Sequence, residues 1–250
     1  MLTRKLTLGV VAVALMCSLA SAAEFKELTP TYSIQVIIDK YAAEPGWEFR
    51  VADKVFSDWT VETSGSQDAY APEAGDIFVT GGYWEGGSAD GEIGLRFNSG
   101  WTAGQNQIAD STITFKITAD APFEIVDYTL YMDNFTAMNG GQVSISENLF
   151  PERPSPGVDP IEDINGDPDG GVVRDSFNNY TYVTDHHEFL APMLEVWVSK
   201  DVVANGGLLE GGYAHLSRFY QTYSQIPEPA TAMLLAAGGA ALVFYRRRRK

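Results

Sequence analysis

The densest run of oxygen ligands in this 250-residue chain is Asp163-Ile164-Asn165-Gly166-Asp167-Pro168-Asp169-Gly170, with Asp175 further on. Oxygens at alternate residues can converge on one hard cation, and glycine permits the sharp turn such a loop needs. The pattern points to a weak Ca²⁺ site built from Asp163, Asn165, Asp167, Asp169 and Asp175; its plain counterpart is a solvated acidic turn. Two tryptophans stand among glycines, Trp84 in GGYWEGG and Trp101 in NSGWTAG. An indole on a glycine-rich loop offers a flat apolar face to a sugar ring, whereas the same ring folded back would close one end of a core. His186-His187-Glu188 is the only histidine cluster, and neighbours on a strand point to opposite faces, which argues against a shared zinc. Carboxylates are so numerous that no glycosidase pair can be singled out, and no nucleophile elbow, P-loop or dinucleotide fingerprint appears. The motifs therefore indicate a structural or binding role without catalysis, with a carbohydrate-binding module and a glycoside-active enzyme as alternatives.

The elements that would carry these residues read as strands. Thr112–Thr118 alternates strictly, with Ile113, Phe115 and Ile117 on one face and Thr112, Thr114, Lys116 and Thr118 on the other. A period of two is the mark of a half-buried antiparallel strand. Val196 and Val198 alternate with Glu195, Trp197 and Ser199 in the same way. Further strands are predicted over 32–39, 48–61, 77–80, 92–98, 124–132, 142–146 and 214–223, separated by glycine pairs, and no long amphipathic helix competes. This pattern predicts an all-β domain, an antiparallel β-sandwich or jelly roll, over residues 23–223. Residues 148–171 hold five prolines and many Asp and Gly, and predict a long loop between strands.

Charge is distributed unevenly. Residues 24–226 carry 10 basic and 32 acidic groups, a net of −22 against −16 for the whole chain. Such a surface repels nucleic acid and anionic lipid. Cys17 is the only cysteine. It lies in the N-terminal leader, so a mature chain would have neither disulfide nor catalytic thiol.

The two ends have compositions of their own. Arg4 and Lys5 precede an uncharged run from Leu6 to Ala20, and Ala20-Ser21-Ala22 places small residues where signal peptidase reads Ala20 and Ala22. That is the layout of a secretory signal peptide over residues 1–22. At the other end, residues 230–245 are uncharged and Arg246, Arg247, Arg248, Arg249 and Lys250 follow. As a transmembrane helix the run would span ~24 Å, with its basic end cytoplasmic. Ahead of it Pro227-Glu228-Pro229 disfavours helix and holds the backbone extended.

A Pro-Glu-Pro motif, an apolar helix and a terminal basic cluster, in that order, resemble the PEP-CTERM sorting domain of Gram-negative bacteria. Ile226 stands where that family usually has Val. The resemblance covers residues 226–250, within a predicted tail of residues 224–250. It implies processing by an exosortase, after signal peptidase has acted at the other end. It also implies transient insertion in the inner membrane, delivery to the cell surface or extracellular matrix, and association with exopolysaccharide. The acidic loop carries a second resemblance. Asn165-x-Asp167-x-Asp169-Gly170 is similar to the opening of an EF-hand-type or thrombospondin-type calcium loop, with Ser176 where an EF-hand has its bidentate Glu.

Overall fold

The period-two runs form strands, and most are longer than their sequence cores. A computed structural model describes residues 24–85, 91–162, 169–175, 180–182 and 184–227. Among these, the order is β1 (Glu24–Glu27), β2 (Tyr32–Ser33), α1 (Ile34–Ala43), β3 (Arg50–Val51), β4 (Lys54–Gly65), β5 (Phe78–Glu85), β6 (Ile93–Gly104) and β7 (Ile108–Ala119). There follow β8 (Phe123–Met138), β9 (Gln142–Phe150), β10 (Asp169–Asp175), β11 (Tyr180–Tyr182), β12 (Thr184–Met193), β13 (Glu195–Asn205) and β14 (Tyr213–Pro227). One sheet runs β1–β5–β6–β14–β8–β12, with β2 also paired to β5; the other runs β11–β10–β9–β13–β7–β4–β3. The two antiparallel sheets pack face to face as a β-sandwich.

The core lies between the sheets. Ile113, Phe115 and Ile117 of β7 and Val196, Val198 and Val202 of β13 are all buried, facing Leu95 and Phe97 of β6 and Phe219 of β14. Rings knit the two layers: Trp59 stacks on Phe115 at 4.5 Å, Phe97 stacks on Phe219 at 4.5 Å, and Phe97 meets Phe115 across the gap at 6.2 Å. Each such side chain contributes about 1.5–3 kcal/mol by leaving water.

Three elements depart from the sequence pattern. Residues 34–43 form a helix where a strand was expected. Ser33 caps it, its Oγ accepting from the Val36 N–H at 3.3 Å, and Ile34 and Ile37 are buried while Ile38 and Tyr41 are half-buried. Positions 34, 37, 38 and 41 lie on one helical face, so the period is 3.6 rather than two. The proline-rich stretch gives way to strand at Asp169, where β10 pairs with β9 from Asp169↔Asn148 to Asp175↔Gln142. Finally, β14 does not stop at Tyr223. Ser224↔Asp127, Gln225↔Ile125, Ile226↔Glu124 and Pro227↔Phe123 continue its pairing with β8. Residues 224–227, predicted as the start of the C-terminal tail, are the last rungs of the sheet.

Candidate functional site

Side chains on β14 alternate between the core and the outer face of its sheet. Phe219, Gln221 and Tyr223 point into the sandwich, and Tyr220 and Thr222 point away from it. Register carries this outward set across the sheet. Thr80, Arg96, Tyr220 and Tyr131 form one row over β5, β6, β14 and β8. Gly82, Gly94, Thr222 and Thr129 form the next, with His186 of β12 at its end. A Cβ at position 82 would come within 2.7 Å of the Phe25 ring, so glycine there is what lets that ring lie on the sheet.

Four rings from four strands cluster on this face. Trp84 lies 5.0 Å from Tyr220, 5.8 Å from Tyr131 and 6.0 Å from Phe25, the last two edge-on. Phe25 and Tyr220 are 5.2 Å apart. Edge-to-face geometry is the favoured arrangement for aromatic pairs. Cations sit over the cluster, with the Arg96 guanidinium 5.7 Å from the Phe25 ring and that of Arg218 5.7 Å from the Tyr220 ring. Each is held in place: Arg96 pairs with Glu27 at 2.6 Å, and Arg218 Nε donates to Asp133 at 2.8 Å. Burial pushes the Tyr220 phenol up, so it stays neutral.

Polar groups line the next row. The Thr222 hydroxyl donates to Glu92, and Thr129 Oγ1 lies 3.0 Å from His186 Nδ1. Burial holds the Glu92 carboxyl above the usual glutamate range, opposed by the Thr222 hydrogen bond and aided by the charge of Asp127. Glu92 also borders a cleft with Lys54, Ile93, Tyr223, Ser224 and Gln225. Lys54 is fully buried there, its ammonium pushed down by desolvation, and donates to Gln225 Oε1 at 2.6 Å. The face as a whole offers an aromatic surface, fixed guanidinium donors and carboxylate, hydroxyl and imidazole groups. That set suits a ligand bearing apolar rings and many hydroxyls.

The structure treats the sequence candidates unequally. Trp84 lies at the centre of the ring cluster, on β5 rather than on a loop. Trp101 is excluded from any such contact: it is an interior residue of β6, fully buried, with its indole N–H donating to Ser111 Oγ at 3.0 Å. Asp169 and Asp175 open and close β10, six residues of extended chain and about 20 Å apart, so the two cannot share one ion. Asp163, Asn165 and Asp167 lie outside the described residues, as do Ala20, Ala22, Glu228, Pro229 and Arg246–Lys250. Pro227 ends β14. Among the described residues no three of His, Cys, Asp or Glu form a group that could hold a metal ion, and no helix is long and apolar enough to cross a membrane. Phe25, Tyr131, Tyr220, Arg96 and Arg218 were missed by sequence reading. Only the alternation Arg218, Tyr220, Thr222 hints at them, and only register brings them together.

Residues 225–250 match the family model of the PEP-CTERM protein-sorting motif. The motif marks an exported protein bound for the cell surface or beyond it. No curated protein matches the chain. Among solved structures it is similar to TmCBM61, solved with β-1,4-galactotriose, at 9% identity over 67% of this chain and 90% of that one, with a TM-score of 0.29. It is similar also to the enzymatically active domain of bacteriophage CBA120 tailspike protein 4, at 13% identity over 67% and 20%, TM-score 0.27. A third likeness is to carbohydrate-binding modules of the β-sandwich superfamily, at 11% identity over 66% and 56%, TM-score 0.28.

Proposed function

We propose that this chain is an exported structural or binding protein of the cell surface or extracellular matrix, in which the sandwich is the cargo and the C-terminal segment is its address. The observation that carries this reading is the sorting-motif match over residues 225–250. In this reading the apolar run of residues 230–245 holds the chain briefly in the inner membrane, basic end inward. An exosortase-type enzyme then processes it near Pro227-Glu228-Pro229. Fractionation of the native host tests this. Released or surface-bound protein should lack Arg246–Lys250 by mass, and a host without its exosortase-type enzyme should retain full-length protein in the membrane. Surface protein that keeps the basic tail in both hosts would reduce the segment to a plain anchor.

The ring cluster around Trp84 favours a second reading, that the sandwich binds polysaccharide on the outer face of its β5–β6–β14–β8 sheet. Tyr220 and Tyr131 would complete the apolar surface, and Arg96 and Arg218 would reach ring hydroxyls. Titration against acidic and neutral exopolysaccharide from the host, with Trp84→Ala alongside, tests it. Trp84→Ala should weaken binding at least about tenfold, the equivalent of ~1.4 kcal/mol. Equal binding by the variant would move the ligand off this face.

A further inference from the structure

Lys200, Glu147 and Gln221 make a polar island inside the apolar core. All three are fully buried. Register fixes where each stands. Lys200 of β13 lies between Glu147 of β9 and Ile113 of β7 in one sheet. Gln221 of β14 lies between Leu95 of β6 and Leu130 of β8 in the other. A single carboxylate reaches across the gap: Glu147 Oε2 pairs with Lys200 Nζ, and Glu147 Oε1 accepts from Gln221 Nε2. The Gln221 carbonyl oxygen is buried without a hydrogen-bond partner.

As a stability device this arrangement is poor. Burying an ammonium and a carboxylate costs several kcal/mol per ion, and apolar side chains of similar volume would do as well or better. As a reacting set it is well composed. An amine and a carboxamide are held on one carboxylate, in a site from which water is excluded. Burial pushes the Lys200 ammonium well below the usual lysine range, the direction that favours the neutral, nucleophilic amine. Fixed side chains also remove most of the entropic cost of bringing the two groups together.

We propose that Lys200 and Gln221 condense into an intramolecular isopeptide bond that joins the two sheets, with Glu147 carrying the proton. The Lys200 Nζ lone pair attacks Gln221 Cδ, and the carbonyl electron pair moves onto Oε1. Glu147 takes the proton released from Nζ and passes it to Nε2 as the Cδ–Nε2 bond breaks. Ammonia leaves, the carbonyl re-forms, and Glu147 ends as it began. An amine and a primary amide have become a secondary amide and ammonia, with no oxidant and no cofactor. Cys17 is the only cysteine, so the described residues contain no thiol and the two sheets have no disulfide to join them. An amide between β13 and β14 supplies a covalent tie of another kind.

Mass spectrometry of the folded full chain tests the proposal. The wild type should be lighter than its sequence by one ammonia in most molecules. After denaturation, trypsin should fail to cut at Lys200, and the peptide that begins at Phe219 should remain joined to the one containing Lys200. Glu147→Gln keeps the shape of the side chain but cannot carry the proton; it should fold and show full mass with Lys200 cleavable. Lys200→Met should also show full mass and should melt below the wild type. A wild type that unfolds cooperatively yet has full mass and a cleavable Lys200 would overturn the bond, and the island would be a buried ion pair. Ammonia lost with Lys200 still cleavable would overturn it too, by placing the loss elsewhere. Cross-linking as complete in Glu147→Gln as in the wild type would overturn the role of Glu147.

Discussion

Two tryptophans with similar sequence surroundings have opposite roles, because flanking glycines do not set burial; the face of the strand does. Trp101 faces the core and Trp84 faces away from it. Trp101→Ala should therefore destabilise the domain by about 3–5 kcal/mol, since it opens a cavity and leaves Ser111 short of a donor. Trp84→Ala, on the half-buried outer face, should cost well under half of that while removing the centre of the ring cluster. Urea unfolding of the two variants measures both, and equal losses would mean that Trp84 is a core residue. Glu92 makes a prediction of a different kind. Its carboxyl is held above the ordinary value near 4.5, so the folded state holds that proton more tightly than the unfolded chain does. The resulting contribution to stability is fully present below the ordinary value and is lost as pH rises through the raised one. Glu92→Gln mimics the protonated form. The variant should match the wild type in acid and become the more stable of the two as pH approaches neutrality. Melting curves across that range decide it, and a difference that does not change with pH would mean Glu92 titrates normally.

At the scale of elements, β14 shows what the sequence could reveal and what it could not. Alternation located β7 and β13 because one face of each is buried and the other is not. It also located the middle of β14, where Phe219, Gln221 and Tyr223 face inward. It missed the end of that strand, because Ser224-Gln225-Ile226-Pro227 has the composition of a linker and is fixed only by pairing with β8. It missed α1 for a related reason. Ile34, Val36 and Ile38 suit a period of two while Ile34, Ile37 and Ile38 suit a period of 3.6, and the decision rests on Ser33 acting as a cap. The ring cluster was legible only as one tryptophan, since its other members come from β1, β8 and β14 and meet through register. The end of β14 can be tested directly. A chain ending at Tyr223 loses four rungs of pairing and the Gln225 acceptor of buried Lys54. Lys54 would keep only Asp53, at 3.3 Å, and losing the shorter of its two hydrogen bonds costs about 1 kcal/mol, to which the lost rungs add. For a domain of this size each kcal/mol lowers the midpoint by roughly 2–4 °C. A chain ending at Tyr223 should thus melt several degrees below one ending at Pro227, and Gln225→Ala should reproduce part of the loss. Coincident transitions for all three would return residues 224–227 to the role of a linker.

At the scale of the whole molecule, cargo and address overlap. The sorting-motif match begins at residue 225, while β14 remains paired with β8 through Pro227. A processing enzyme that grips Pro227-Glu228-Pro229 as extended chain meets the end of a folded sheet at once. Either it works flush against the sandwich, or the last rungs of β14 must fray before it can engage. Fraying is cheap, because strand ends open at far lower cost than the global transition. The absence of a backbone N–H at Pro227 already weakens the final rung. If fraying controls engagement, separating the motif from the sheet should speed processing even though it weakens the domain. A flexible glycine-serine insertion between Ser224 and Gln225 does both: it carries the motif away from β8 and breaks the Lys54–Gln225 hydrogen bond. In the native host, pulse-chase labelling should then show the membrane-held precursor disappearing faster from the insertion variant than from the wild type. The melting midpoint of the released domain should fall at the same time. Unchanged or slower processing would show that the enzyme accepts the motif while β14 is still paired, and that the folded edge is part of what it recognises.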